Sequence, residues 1–158
     1  MNEIKKERKS ALTRASLFII GLLLLVGSVG CSGKKHVYFH ITPDVDANNG
    51  RPLYVLVREV NKKMFLTEYY DDVAALLHAE NRNEALLGWA LIVPGESNEF
   101  KVTRPEGSDI AVYGMFTEPG TNWKMRVQVP LRKSYTISVQ GNNLVETFDE
   151  DEKKDDDA

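Results

Sequence analysis

The stretch WKMRVQVPLRKSYTISVQ, residues 123–140, decides the fold that this sequence predicts. In each half of the stretch, apolar and polar residues alternate one by one, which is the period of a β-strand with one buried and one solvated face. The stretch therefore predicts two strands, whose inward residues are Trp123, Met125, Val127 and Val129 in the first and Tyr135, Ile137 and Val139 in the second.

The same alternation recurs along the rest of the chain. Turn-forming pairs such as Pro94-Gly95 and Pro119-Gly120 separate the alternating segments. Many short strands at this spacing are typical of a sandwich or barrel, so we predict a mainly β, two-sheet sandwich of about eight strands. The other predicted strands are 35–41 with Val37, Phe39 and Ile41 inward; 53–60; a third with Leu87, Trp89, Leu91 and Val93 on one face; a fourth with Phe100 and Val102; a fifth with Ile110, Val112, Gly114 and Phe116; and 144–148.

One segment breaks the two-residue period and predicts a single helix inserted into the sandwich. Its apolar residues recur at helical spacing, with acidic residues near the start, where the helix dipole favours negative charge. Thr67 is the predicted N-cap. The apolar stripe consists of Tyr69, Tyr70, Val73, Leu76 and Leu77, and the acidic residues are Glu68, Asp71 and Asp72.

Charge divides the 158 residues into three parts. Residues 1–30 are basic, residues 146–158 carry 8 acidic and 2 basic side chains, and residues 31–145 hold 13 of each sign. We predict a signal segment at 1–30, one folded domain at 31–145 and a disordered acidic tail at 146–158. Because the domain has no basic excess to neutralise phosphates, a nucleic-acid partner is disfavoured.

The N-terminal part has the layout of a secretory signal. Five basic residues precede the apolar run 17–26, and small residues follow it. A transmembrane anchor is the alternative, but the uncharged stretch 15–30 is shorter than the about 20 residues that a span needs.

Ser28, Val29, Gly30 and Cys31 resemble a bacterial lipobox, and Cys31 is the only cysteine of the chain. This resemblance predicts cleavage before Cys31 and a covalent lipid on its sulfur, because several acyl chains make a stable membrane anchor. Ser32 follows, whereas lipoproteins kept in the inner membrane carry Asp at that position. We therefore expect an anchor in the outer membrane, with the domain on its periplasmic side.

Motifs for catalysis or metal binding are missing from the sequence. There is no Gly-x-Ser-x-Gly elbow, phosphate-binding loop or Cys/His cluster at ligand spacing. We therefore predict neither an enzyme nor a metal site, and no cofactor apart from the lipid. The ten residues 42–51 stand out instead, because hairpin loops usually have two to five residues and long polar loops on a rigid sandwich often bind partners.

The motifs Thr42-Pro43-Asp44 and Gly50-Arg51-Pro52 and the aliphatic segment 55–58 follow one another in this sequence. Their order resembles that of the type VI secretion lipoprotein family called TssJ or SciN. In that family an Asn-Pro-Asp-like loop leads through Gly-Arg-Pro into an aliphatic strand that ends in Arg, and here Thr42 replaces the Asn. The resemblance covers roughly residues 31–145. The matching segments are Thr42-Pro43-Asp44, Gly50-Arg51-Pro52, residues 55–58, 64–70, 91–96 and 110–116, and Trp123-Lys124.

This resemblance implies a transthyretin-like β-sandwich that is anchored in the outer membrane and binds the periplasmic region of a TssM-like inner-membrane subunit. In the family the loop between the first two strands binds that partner. The general alternative is a lipid-anchored sandwich that binds small ligands or glycans through exposed aromatic residues, and a transthyretin-like hydrolase would need clustered His and Arg. The implied partner-binding residues are Thr42, Pro43, Asp44, Val45, Asp46, Ala47, Asn48, Asn49, Gly50 and Arg51.

Overall fold

Eight strands among the described residues form two sheets, which enclose an apolar core between them. The computed structural model describes residues 35–81 and 85–147, so Cys31, the predicted signal segment and most of the predicted tail lie outside the described residues. The strands are β1 (His36–Pro43), β2 (Leu53–Val60), β3 (Gly88–Ile92), β4 (Asn98–Thr103), β5 (Asp109–Met115), β6 (Lys124–Val127), β7 (Ser134–Gln140) and β8 (Asn143–Thr147).

Each sheet has four strands. The first has the order β4-β1-β7-β8 and the second the order β3-β2-β5-β6. The β1–β7 pair is parallel, with Tyr38 opposite Ser134, and every other pair is antiparallel. The predicted two-sheet, mainly β sandwich is therefore confirmed. β8 ends at Thr147, two residues beyond the domain boundary that the charge pattern suggested.

The core between the sheets contains residues that the alternation places inward in five of the strands. Phe39 is fully buried in this core, and its ring stacks on Phe100 at 5.5 Å and on Tyr135 at 5.8 Å between centroids. Ring pairs at these distances contribute beyond the area they bury. The predicted residues buried here are Val37, Phe39, Ile41, Val102, Ile110, Val112, Phe116, Val127, Tyr135, Ile137 and Val139.

The predicted inward face of β3 is wrong. Trp89, Leu91 and Val93 are 39%, 47% and 39% exposed, whereas Ile92 is fully buried. The strand turns Gly88 toward the core, where a Cβ would lie 2.7 Å from Cγ1 of Val102. Only a glycine fits this close approach, so the more apolar set of side chains is left facing outward.

Two further predictions about single residues need correction. Val129 is 44% exposed, because β6 ends at Val127. Trp123 is half-buried between the main core and a second apolar cluster, rather than inside the core alone.

The inserted segment forms two short helices instead of one. They are α1 (Lys62–Thr67) and α2 (Tyr70–Ala75), and a 3₁₀ turn follows at Leu76–His78. Asn61 caps α1 by accepting a hydrogen bond from the Met64 N–H at 2.9 Å. Thr67, the predicted N-cap, is the last residue of α1, and Tyr69 caps α2 without a side-chain hydrogen bond.

The two helices cover part of the outer face of the second sheet. Leu56, Tyr113 and Val73 are fully buried in this second cluster. In the part of the chain that the structure describes, no helix has the length and apolar character to cross a membrane.

Candidate partner-binding loop

The segment between β1 and β2 crosses from one sheet to the other. β1 belongs to the first sheet and β2 to the second, so their connection is not a hairpin. Packed sheets lie about 10 Å apart, which a two-residue turn cannot span. The crossing accounts for much of the length that made this loop conspicuous in the sequence. Its exposure and rigidity are therefore the features that bear on binding.

The ten predicted contact residues divide into two groups. Thr42 and Pro43 belong to β1, and the Thr42 hydroxyl lies 3.2 Å from that of Ser138. Pro43, Ala47 and Asn48 are buried, so the side chains of these three predicted contact residues do not face solvent. The exposed residues are Asp44, Val45, Asp46, Asn49, Gly50 and Arg51.

Asn48 is the internal anchor of the loop. Its side chain is 1% exposed. Nδ2 donates to the carbonyls of Arg51 and Pro52, both at 3.1 Å, and Oδ1 accepts from the Thr117 N–H at 2.7 Å. Its backbone N–H donates to the Gly141 carbonyl at 2.8 Å. These bonds tie the loop to the β5–β6 and β7–β8 connections.

The backbone around Asn48 has an uncommon conformation. Asn48, Asn49 and Gly50 have φ values of 51°, 57° and 73°, so three successive residues are left-handed. Asn and Gly tolerate this region better than other residues. Residues 48–50 therefore combine a backbone that few side chains permit with a buried amide that holds it.

Val45 is the most prominent apolar group of the loop. At 80% it has the highest exposure among the large apolar side chains of the described residues. The preceding residue fixes its position, because the Asp44 N–H donates to the Val139 carbonyl of β7 at 2.9 Å. A Cβ on Gly95 would lie 3.2 Å from Val45 Cγ1, so the β3–β4 connection supports Val45 from one side. The loop thus presents one apolar side chain between Asp44 and Asp46.

A charged cluster attaches the helical segment to the second sheet. Nη1 of Arg58 lies 2.8 Å from Oε1 of Glu68, and the Tyr113 hydroxyl donates to Oε2 at 2.5 Å. The side chains of Arg58 and Glu68 are 18% and 10% exposed. Among the described residues, no acceptor faces Nε of Arg58, so Glu68 is the main compensation for that buried charge.

Lys124 completes this attachment from β6. Its Nζ donates to the backbone carbonyls of Phe65 at 2.5 Å and Glu68 at 2.9 Å. It also lies 4.8 Å from the ring centroid of Phe65 and 5.0 Å from that of Trp123. Charge, hydrogen bonds and ring contacts therefore all join the helices to the sandwich.

Because of this cluster, we expect the stability of the domain to decrease at alkaline pH. Burial, the hydrogen bond to Glu68 and the Glu68 charge hold the pKa of Tyr113 well above its usual value of 10. Because the folded pKa is raised, the stabilisation is present below pH 10 and is lost as pH rises above it. We expect the free energy of unfolding to fall above pH 10, with a contribution from Tyr113 of up to about 1.4 kcal/mol per pH unit.

Tyr113→Phe should flatten that decline, which denaturant titrations between pH 9 and 11.5 would measure. Burial also raises the pKa of Tyr70, so some slope should remain in the variant. An unchanged slope in Tyr113→Phe would show that this phenol does not titrate differently in the folded and unfolded states.

Within residues 35–81 and 85–147, no group of three or more His, Cys, Asp or Glu side chains is placed to hold a metal ion.

Solved structures of type VI secretion proteins share this sandwich. Serratia marcescens Lip, a membrane-bound component of the type VI secretion system, matches with a TM-score of 0.60 and 12% sequence identity over 74% of this chain and 99% of that chain. The lipoprotein TssJ1 from Pseudomonas aeruginosa matches with a TM-score of 0.54 and 15% identity over 73% of this chain and 96% of that chain.

A chain in the structure of the TssM C-terminal domain from EAEC matches with a TM-score of 0.57 and 15% identity, over 73% of this chain and 99% of that chain. At sequence identities this low, the structural matches establish a shared fold and nothing more. The fold is therefore that of the type VI secretion lipoproteins.

The family follows from the sequence. Residues 54–139 match the family model described as IglE, N-terminal domain, which is more than half of the chain. The chain belongs to this family, and the resemblance to a type VI secretion lipoprotein family that the sequence motifs indicated is confirmed. A search of curated proteins finds no match. None of the three matched structures is described as an enzyme.

Proposed function

We propose that this protein is an outer-membrane lipoprotein that anchors a type VI secretion membrane complex, and that its β1–β2 loop binds the periplasmic region of a TssM-like inner-membrane subunit. Family membership and the fold of the matched lipoproteins support the general role. The match to a structure of the TssM C-terminal domain supports the choice of partner.

The observation that carries the loop assignment is the combination of rigidity with exposure. Asn48 holds the backbone through buried hydrogen bonds, while Val45 extends into solvent. A loop that already has one conformation loses little conformational entropy when it binds. An exposed valine on a flexible loop would offer the same contact area at a greater entropic cost.

The exposed polar residues of the loop define the chemistry of its partner. Asp44 and Asp46 flank Val45, so a complementary surface would offer an apolar pocket bordered by donor or basic groups. Asn49 and Arg51 supply polar contacts at the rim. Asn48, which the sequence also suggested as a contact, acts as a positioning residue instead.

Val45→Asp should weaken binding of the TssM-like periplasmic region by more than tenfold, a loss above about 1.4 kcal/mol. The substitution would bury a carboxylate in the proposed pocket beside two existing ones. Isothermal titration calorimetry with the full chain in detergent would measure the dissociation constant.

Val129→Asp is the matched control for this titration. Val129 is also an exposed valine, at 44%. Its N–H donates to Asp109, and Asp109 pairs with Val60. Val60 is the last residue of β2, so Val129 lies at the end of the sheet that is far from the loop. Equal affinities for the two variants and the unsubstituted protein would place the interface elsewhere.

Cys31→Ser should abolish the lipid and release the domain from the outer-membrane fraction. The expectation rests on the lipobox-like residues 28–31 and on Cys31 being the only cysteine. Mass spectrometry of the mature N-terminus would detect the modification, and Ser32→Ala serves as a variant that keeps it. An unmodified chain that begins at Met1 in the membrane would contradict lipid anchoring.

The structure also has exposed aromatic rings, which glycan-binding sandwiches usually present. Tyr54 and Trp89 are 36% and 39% exposed and form an edge-to-face pair at 5.9 Å. Trp89→Ala distinguishes the two functions. If the variant still binds the TssM-like region but no longer binds a carbohydrate ligand, glycan binding is favoured.

A further inference from the structure

Among the described residues, four strands lie at the edges of the two sheets, and three of them carry charged residues. These three are β4, β6 and β8, with Glu99 and Lys101, Lys124 and Arg126, and Glu146. Proteins commonly place charges on edge strands because a bare edge pairs with other chains. β3, with the sequence GWALI, is the exception and has no charged residue.

The outward face of β3 is apolar as well as uncharged. Trp89 and Leu91 are 39% and 47% exposed, and Tyr54 of the neighbouring strand lies against Trp89. In residues 35–81 and 85–147, β2 is the only strand that pairs with β3 within its sheet. At this edge of the second sheet, β3 has no described partner strand on its outer side, no charged residue and an exposed apolar face.

We propose that β3 pairs antiparallel with β3 of a second copy of this chain. A two-fold axis through Ala90 places Trp89 opposite Leu91 of the other copy, and Leu91 opposite its Trp89. It also places the small Gly88 opposite the large Ile92. Aromatic–aliphatic pairs across antiparallel strands are favourable, and this register makes two of them on the exposed face.

A second copy fits this edge because the strand is complementary to itself. A two-fold contact brings identical surfaces together, so charges near the axis face charges of the same kind. β3 has none to repel. The joined sheets would form one sheet of eight strands.

The size of the contact predicts a weak dimer. Two five-residue strands bury less than the about 1,200 Å² that is typical of stable complexes. Association should therefore depend on concentration and be favoured where the protein is confined to a membrane.

Site-specific photo-crosslinking of the full chain in cells tests this proposal. A photoreactive benzoylphenylalanine replaces Leu91, and two differently tagged copies are expressed together. We expect a crosslinked product that contains both tags. The same probe at Val129, an exposed valine outside β3, should give none.

The specificity of the pair is tested by adding Trp89→Lys to the probe-bearing chain, because residue 89 faces residue 91 of the other copy. This change should reduce the two-tag product at least tenfold, while Val129→Lys should not. Circular dichroism of the purified variant would verify its fold. Absence of a two-tag product, its persistence with Trp89→Lys, or crosslinking only to a different protein would each overturn the proposal.

Discussion

Glu68→Ala is expected to destabilise the domain by about 3–5 kcal/mol, which is the cost of leaving one member of a buried ion pair without its partner. The Glu68 carboxylate contacts both Arg58 and the Tyr113 hydroxyl. Its removal leaves a largely buried guanidinium and a buried phenol without their acceptor. Denaturant unfolding followed by circular dichroism would measure the change.

Glu59→Ala is the control for that measurement. Glu59 is an exposed glutamate on β2, next to Arg58, so its removal should change stability by no more than about 0.5 kcal/mol. A loss below about 1 kcal/mol in Glu68→Ala would show that the helical segment is held mainly by apolar packing.

Asn48→Ala is expected to destabilise the domain by about 2–4 kcal/mol. The change removes three side-chain hydrogen bonds, leaves the Thr117 N–H without its acceptor, and puts alanine at a φ of 51°. Thermal and denaturant unfolding would measure the loss. Binding of the TssM-like region should weaken as well, because the loop loses its anchor.

Asn49→Ala separates the loss of the buried hydrogen bonds from the cost of placing alanine at a positive φ. Asn49 has a φ of 57° but an exposed side chain, so alanine there tests the backbone conformation without the buried bonds. It should cost about 1 kcal/mol. Equal losses in both variants would mean that the buried amide of Asn48 contributes little.

The alternation of side chains predicted the strands well because the period of two is a local property of the chain. Inward residues such as Phe39, Val112 and Ile137 follow from it directly, and all three are buried. β3 was misjudged because the choice between its faces depends on the space near Val102. That close approach is a tertiary contact which only Gly88 accommodates.

The site shows the same division between local and distant causes. Sequence order and polarity indicated the loop, but its asparagines look alike in the sequence. Asn48 is buried because its amide meets Thr117, 69 residues downstream, whereas Asn49 faces solvent. The helix α1 was missed for a similar reason, since much of its attachment comes from Lys124 on β6.

Hydrogen exchange of the full chain, measured by mass spectrometry with and without the TssM-like periplasmic region, tests the central claim most directly. Binding through the β1–β2 loop predicts new protection of the backbone amides in residues 44–51, with little change around Val129 at the opposite end of the second sheet. Unchanged exchange in residues 44–51 at a saturating concentration of the partner, with protection elsewhere on the sandwich, would contradict it.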